Sequence, residues 1–581
     1  MMGSFVFFPF ISVKYQDITI EGLIKFYNQG LDIAIDFLKI SAVNITKNRA
    51  LQFIFMTVLQ LAFGLTKGGL FSLLNSEHAE KIRAYLSQLE NDFPGESTAS
   101  VRMGQVRELC EEKVMALAGA FLDDFYDTIG KWARGTFSEK YRTSCTEMTP
   151  PPECFLGLIP PSKLFPSLDV EQRGIVMPYF NALIYQHARR ITNTSELIGL
   201  LKTPSFESET MVFPLAAKLG FFGGAPGKNE IYRQFKTLEQ KAEPCNTLLN
   251  ELLANLEIID LNTVSVDSTN VPVDKRDKTG SIGTGSRGTF FGHKASIGCD
   301  ANCIPLNSTL DTGYCSDVTL YPDTINPIKD FANRTGQVIW SIVMDAAYSN
   351  LTVISHVESI DAVPVVDINP KNSILLKELK KKGSGLLELA RKALKSASRE
   401  EKRKWRRVLR ELTKKKGTSI PLKQKESILR ALLTLIGRDI LRKGLSAGEL
   451  QAAEQLRTEV MSLRRKIRTS GTTYEKKVGL SALLYGSIEW LLVYSIRGQN
   501  EGINGILKKR GNLIGDGQHT SWLIGCDNLS ARQVMEDVGI KYMACVKFLV
   551  TGQTDHFLRF LHNWRHDKSF FCITILIIFC R

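Results

Sequence analysis

The chain has 581 residues, 44% of them hydrophobic and 23% charged, with a net charge of +14. This composition is that of a globular and not a disordered chain, and the length implies roughly two to four domains with a large buried core. The charge is concentrated: residues 377–416 hold 17 Lys/Arg against 5 Asp/Glu, so 17 − 5 = +12 falls on one segment. That segment is either a nucleic-acid-facing arm or a solvated basic helix.

Residues 1–170 read as a mostly helical region of unclear role, broken at Thr149–Pro152 and Pro160–Pro161. The apolar start, Phe5–Ile11, lacks the basic flank of a signal peptide. Leu51–Leu65 is interrupted by Gln52 and Gln60 and is short for a span. The apolar tail Phe570–Cys580 reaches only ~17 Å as a helix, against a bilayer core of ~30 Å. No membrane association is therefore expected. Residues 171–255 read as a helical module: Asn193 offers an N-cap to a helix bearing Leu197, Leu200 and Leu201. A Gly/Pro turn over 219–229 then precedes a helix carrying Arg233 and Lys236. This is a helix-turn-helix that reads DNA, or two packed helices with a polar cap.

From residue 256 the period changes. Strands are predicted at Ile258–Val266, Lys294–Cys299, Ile304–Leu310, Val338–Met344 and Ala362–Ile368, with a helix at Asn326–Ala332. Residues 256–372 thus form the first part of a mixed α/β sheet. Gly283–Gly288 fits G-x-G-x-x-G, but a strand follows it. A dinucleotide site needs a helix N-terminus there, so the stretch is read as a loop. Residues 373–470 form a basic helical insertion with apolar Leu386, Leu389, Ala390, Trp405 and Leu409, and with Arg403, Arg406 and Arg407 as DNA-facing candidates. Ser446-Ala-Gly-Glu449 is a capping box inside it. Residues 471–515 return to the core, and 516–581 form a C-terminal segment. The eleven cysteines are scattered, and Cys299, Cys303 and Cys315 lack paired histidines. They read as reduced thiols of a cytoplasmic protein and not as a zinc site.

The stretch from Tyr494 to Lys508 is the most telling. On one helix starting at Tyr494, Arg497, Glu501 and Lys508 fall at about 300°, 340° and 320°, on one stripe with Tyr494. Ile496, Ile503 and Leu507 lie opposite. An ordinary amphipathic helix with an Arg–Glu pair has the same pattern. Upstream, Asp267 and Asp345 stand at the ends of predicted strands, where α/β sheets bind ligands. With Glu501 they make three carboxylates, a donor set suited to hard divalent ions and two-metal phosphoryl transfer. Glu489 is a rival third carboxylate, Asp317 a neighbouring acid, and His293 a structural or phosphate-contacting group.

Together these motifs resemble a DDE transposase of the insertion-sequence family four type. The resemblance rests on Asp267 with Ser-Thr after it, Gly292-His-Lys294, Ser316-Asp317, Asp345-Ala-Ala-Tyr348, Val365–Lys371 and the Tyr494/Arg497/Glu501/Lys508 signature. It covers about residues 180–510. It implies an α/β, ribonuclease-H-like mixed-sheet core with a helical insertion and a helical N-terminal DNA-binding region. It also implies catalytic and metal-binding Asp267, Asp345 and Glu501, with Mg2+ as cofactor and Mn2+ as substitute. Tyr494, Arg497 and Lys508 would contact DNA, and Arg233, Lys236, Arg403, Arg406 and Arg407 would add to that surface. The partners are double-stranded DNA, as terminal inverted repeats and target, and a second copy in a paired-end dimer. The setting is prokaryotic, cytoplasmic and nucleoid-associated. A catalytically decayed DNA-binding derivative, or a ribonuclease-H-like nuclease, fits the same residues. Gly498, Gly502 and Gly505 beside the stripe either admit a phosphate backbone or mark a weak helix.

Overall fold

The computed structural model describes residues 13–552, except 42, 77–78, 145–149, 190, 192–193, 204, 208–209, 213, 223–224, 286–287, 417–419 and 511–524. Two compact units emerge. One runs to Leu249 and takes up the chain again at Val538; the other is Asn250–Asp537.

The second unit holds a six-stranded mixed sheet. Its strands are β1 (Thr263–Pro272), β2 (Ser281–Gly285), β3 (Gly288–Cys299), β4 (Pro305–Thr312), β5 (Ser341–Met344) and β6 (Val363–Val366). The order is β2-β3-β1-β5-β6, with β4 also paired to β3. β1, β3 and β4 are antiparallel neighbours, whereas β1, β5 and β6 run parallel. β5 is buried at every residue, which is why Ser341-Ile-Val-Met344 reads as a continuous run with no alternation. The parallel connections use helices α1 (Asp317–Thr335) and α2 (Leu351–Ser359).

Four helices follow: α3 (Ile374–Ser396), α4 (Arg399–Lys416), α5 (Leu422–Gly444) and α6 (Ala447–Ser470). The described residues of the predicted insertion thus form four helices with short connections, and the Ser446/Glu449 capping box opens α6 as expected. It shares one apolar cluster with the sheet: Leu376, Trp405, Leu429 and Val460 belong to the same core as Val343 and Val365. Gly383 of α3 is required by this packing, since a Cβ there would lie 2.4 Å from the Tyr485 ring. After α7 (Thr473–Gly479) come α8 (Ile488–Tyr494) and α9 (Arg497–Arg510).

Several boundaries differ from expectation. The first strand starts at Thr263 and runs on to Pro272, so Asp267 lies inside β1 and not at its end. The helix predicted at Asn326–Ala332 begins at Asp317 and tolerates Pro322 and Pro327. The glycine-rich stretch is largely strand: β2 and β3 pair directly, Gly285 opposite Gly288.

The other unit is mainly helical. Its helix Lys47–Ala62 is buried continuously from Ala50 to Ala62, which accounts for an apolar run with no clear stripe. Its Gln52 amide donates to the Leu86 and Asp92 carbonyls at 2.8 and 2.9 Å. Among the described residues no single helix is long and apolar enough to cross a membrane; the Lys47–Ala62 and Lys67–Leu74 helices pass that test only together, bent by 109°. The module 171–255 is not helical throughout, because Ser205–Glu207 and Thr210–Val212 form a two-stranded ladder. Arg233 and Lys236 stand exposed on the helix Lys228–Glu239, with Arg233 paired to Glu230 at 2.6 Å. Asn193 and the tail 570–580 lie outside the described residues.

Candidate active site

The parallel register brings the two aspartates together. Thr263 pairs with Ser341 and Ser265 with Val343. Since 341 − 263 = 78 and 345 − 267 = 78, the same register sets Asp345 beside Asp267. Asp345 directly follows β5 and caps the short turn Ala346–Tyr348, its Oδ1 accepting the Ala347 N–H at 2.8 Å. Only β1 continues past this point, paired with β3 alone, so one side of Asp267 is left open where the parallel pairing stops.

Glu501 arrives on α9, which packs against β1. Arg497, one turn earlier, holds the three carboxylates together. Its guanidinium lies 2.8 Å from Glu501 Oε1, 3.7 Å from Asp345 Oδ2 and 4.0 Å from Asp267 Oδ1. The side chains grade outward in exposure: Asp267 10%, Asp345 31%, Glu501 58%. Burial, more than any other influence, drives Asp267 up to about 6, with Arg497 opposing and Asp345 and Glu501 adding to the rise. Burial also raises Asp345. For Arg497, burial pulls the pKa down, but Tyr494 and the carboxylates outweigh it and hold the guanidinium more firmly protonated than usual.

Tyr494 is not on the same helix as Glu501. The chain tightens after α8: Ile496 N–H bonds the Val493 carbonyl three residues back, and α9 restarts at Arg497. Tyr494 instead stacks on Trp490, ring centroids 4.0 Å apart. Burial, then the field of Asp367, pushes its hydroxyl well above the ordinary range, so it stays a donor. The apolar back of the stripe is as expected, with Ile496 and Ile503 buried. The side chains of Leu507 and Lys508 lie outside the described residues.

The remaining candidates separate clearly. His293 is fully buried and bonded to Asp277 at 3.2 Å, so its role is structural. Glu489 is committed to Arg457 at 3.1 Å. Asp317 accepts from the Ser268 hydroxyl and faces Lys294 at 3.3 Å, beside the centre. Arg406 is not a DNA-facing residue: it is buried, donates to the Ala301 carbonyl at 2.7 Å and faces Asp260 at 3.5 Å. Arg403 is half-buried, and Arg407 is exposed beside Glu400 at 3.5 Å.

Residues 260–509 match a family model described as the transposase DDE domain. The matched segment lies wholly within the sheet-bearing unit. No curated protein and no solved structure matches the chain. A transposase DDE domain implies a ribonuclease-H-like core, and the sheet has a mixed form: four antiparallel strands, β1 to β4, followed by β5 and β6, which run parallel to β1 and are reached through helices.

Domains of this kind generally use divalent metal ions. Among the described residues, no three Asp, Glu, His or Cys side chains are gathered closely enough to form a ready ligand cage. The donor chemistry nevertheless fits. Three carboxylates from three separate segments converge on one cationic group, and oxygen-only donors suit magnesium or manganese.

One residue at the centre has no counterpart among the residues predicted from sequence. Asn504 donates to Asp267 Oδ2 at 2.9 Å from a buried position. Its helical angle, about 280° on the same wheel, sets it within about 20° of Arg497. That angle was the available signal, but an uncharged side chain does not stand out on a stripe defined by charge.

Proposed function

We propose that this protein is a DNA transposase of the insertion-sequence family four type, which cuts at element ends and transfers strands into target DNA. The observation that carries this reading is the convergence of Asp267, Asp345 and Glu501 on Arg497 inside a transposase DDE domain. Asp267, Asp345 and Glu501 would hold magnesium, or manganese in its place, which supplies activation of a water or 3′-hydroxyl and stabilisation of the leaving oxygen.

The chain's own groups complete the arrangement. Asp267 must be anionic to act, and burial raises it to about 6, so acidification through that range removes its charge. Arg497 offsets the charge of the carboxylates and can turn its fork to a DNA phosphate. Tyr494, held by Trp490 and still protonated, donates to a phosphate oxygen. Lys508 follows on the same helix as a further phosphate contact. Gly498 and Gly505 have open space where a side chain would stand, which leaves room for a sugar-phosphate chain. Arg233 and Lys236, with the exposed basic residues of α3 and α4 including Arg407, extend the DNA surface. Arg403 joins that surface from its half-buried place on α4. Two copies pair the element ends.

The test is incubation of the protein with an end-containing duplex and manganese. Nicked and strand-transfer products are expected, and Asp267→Ala, Asp345→Ala and Glu501→Ala should each abolish them. Nicking without strand transfer would indicate a nuclease, and no metal-dependent nicking a DNA-binding derivative. Full activity in any one of the three variants would remove that residue from the site.

A further inference from the structure

Asn504 is 7% exposed, and its amide is used on one side only. Nδ2 donates to Asp267 Oδ2, while Oδ1 is buried without a protein partner. A buried acceptor left unpaired costs about 1–3 kcal/mol, so the amide is not there for stability alone.

The geometry has two consequences. The terminal torsion of an aspartate is broad, and a single bond from a fixed donor selects one orientation. With Oδ2 held by Asn504, Asp267 turns Oδ1 toward Arg497 and the other carboxylates. Asn504 also lies three residues beyond Glu501 on α9, so the same bond anchors the helix carrying the third carboxylate to the strand carrying the first. An aspartate at 504 would add a further negative charge beside a buried carboxylate. A leucine would remove the Asn504 donor from Asp267 Oδ2.

We propose that Asn504 is a positioning residue of the metal centre: it orients Asp267 so that Oδ1 faces the cation and sets the separation of Asp267 from Glu501. Its unpaired Oδ1 is then placed to accept from a water at the centre. This inference rests on the reading of Asp267 and Glu501 as metal-holding residues.

The experiment is manganese binding to the full-length protein, followed by electron paramagnetic resonance, in wild type, Asn504→Leu, Asn504→Asp and Asp267→Ala. Both Asn504 variants should bind manganese about 10- to 100-fold more weakly, the range for loss of a group that orients a ligand. Their DNA turnover should fall while the KM for DNA is unchanged. Should Asn504→Leu fail to fold, near-isosteric Asn504→Asp decides. Wild-type manganese affinity in the Asn504 variants, with affinity lost in Asp267→Ala, would overturn this inference alone. Wild-type affinity in Asp267→Ala would instead overturn the reading of the site.

Discussion

Two buried aspartates, Asp267 in β1 and Asp277 in the connection from β1 to β2, are driven in opposite directions by their partners. Asp267 accepts from the Asn504 amide and the Ser268 N–H and faces a guanidinium at 4.0 Å, and burial prevails, up to about 6. For Asp277 burial also raises the pKa, but four donors outweigh it: the Thr279 N–H and hydroxyl at 2.9 and 2.6 Å, the Gly525 N–H at 3.0 Å and His293 at 3.2 Å. Its carboxyl is held down at about 2. A depressed carboxylate contributes stability that is present above its unfolded pKa, near 4, and is lost as pH falls through the folded value. Wild type should therefore lose about 2 kcal/mol between pH 4 and 2 that Asp277→Asn does not lose. Urea unfolding of both proteins across that range checks this, and parallel curves would refute it. Neither assignment was legible in the sequence. Asp277 carried no motif, and His293 stood out through Gly292-His-Lys294 and its place near the aspartates, neither of which names Asp277 as its partner. Arg406 and Arg407 make the same point, since adjacent arginines in one basic run face opposite ways. Charge counting cannot see which of them meets Asp260.

At the scale of elements, the glutamate helix is shorter and less regular than its spacing suggests. Tyr494 and Arg497 stay together across the break between them, because both lie in the field of Asp267 and Asp345. The glycines of α9 are open to a direct test. A Cβ at Gly498 or Gly505 would touch nothing within 4 Å, so alanine should stabilise the helix by about 1 kcal/mol at each position. The double variant should melt at a higher temperature and transfer strands more slowly, because the added methyl groups stand where the phosphate chain is proposed to pass. A rise in melting temperature with undiminished strand transfer would remove the glycines from the DNA path.

For the whole molecule, the insertion is part of the core and not an appended arm. Leu376 and Leu379 of α3, and Trp405 and Leu409 of α4, are buried in the cluster that also holds the parallel strands. Deleting residues 377–416 would therefore unfold the unit and say nothing about DNA. The informative change is confined to charge. Lys377, Lys381, Lys395 and Lys404 are exposed on α3 and α4. Replacing them with glutamine should leave the fold intact. For every lysine that neutralises a DNA phosphate, its replacement should lower the slope of log affinity against log salt by about 0.9. An unchanged slope would make these helices a solvated face. Basic charge at this density is visible in composition, but its division between buried Arg406 and exposed Lys404 depends on which face of α4 meets the sheet.

The linear order of residues determined the chemistry on offer: two aspartates after apolar runs, a glutamate with its arginine at helical spacing, and a basic helical segment between the strands. These are local patterns, set by periods of two and 3.6 residues, and they need no knowledge of partners. The fold class followed from the same periods. What only the tertiary structure decided is which side chains meet. The β1–β5 register sets Asp345 beside Asp267. The packing of α9 on β1 brings Glu501 and Asn504 to the same point, and a bond spanning 237 positions in the chain holds them there. Local propensity carries no information about such a pairing, because residues so distant in sequence are brought together by burial across the entire unit.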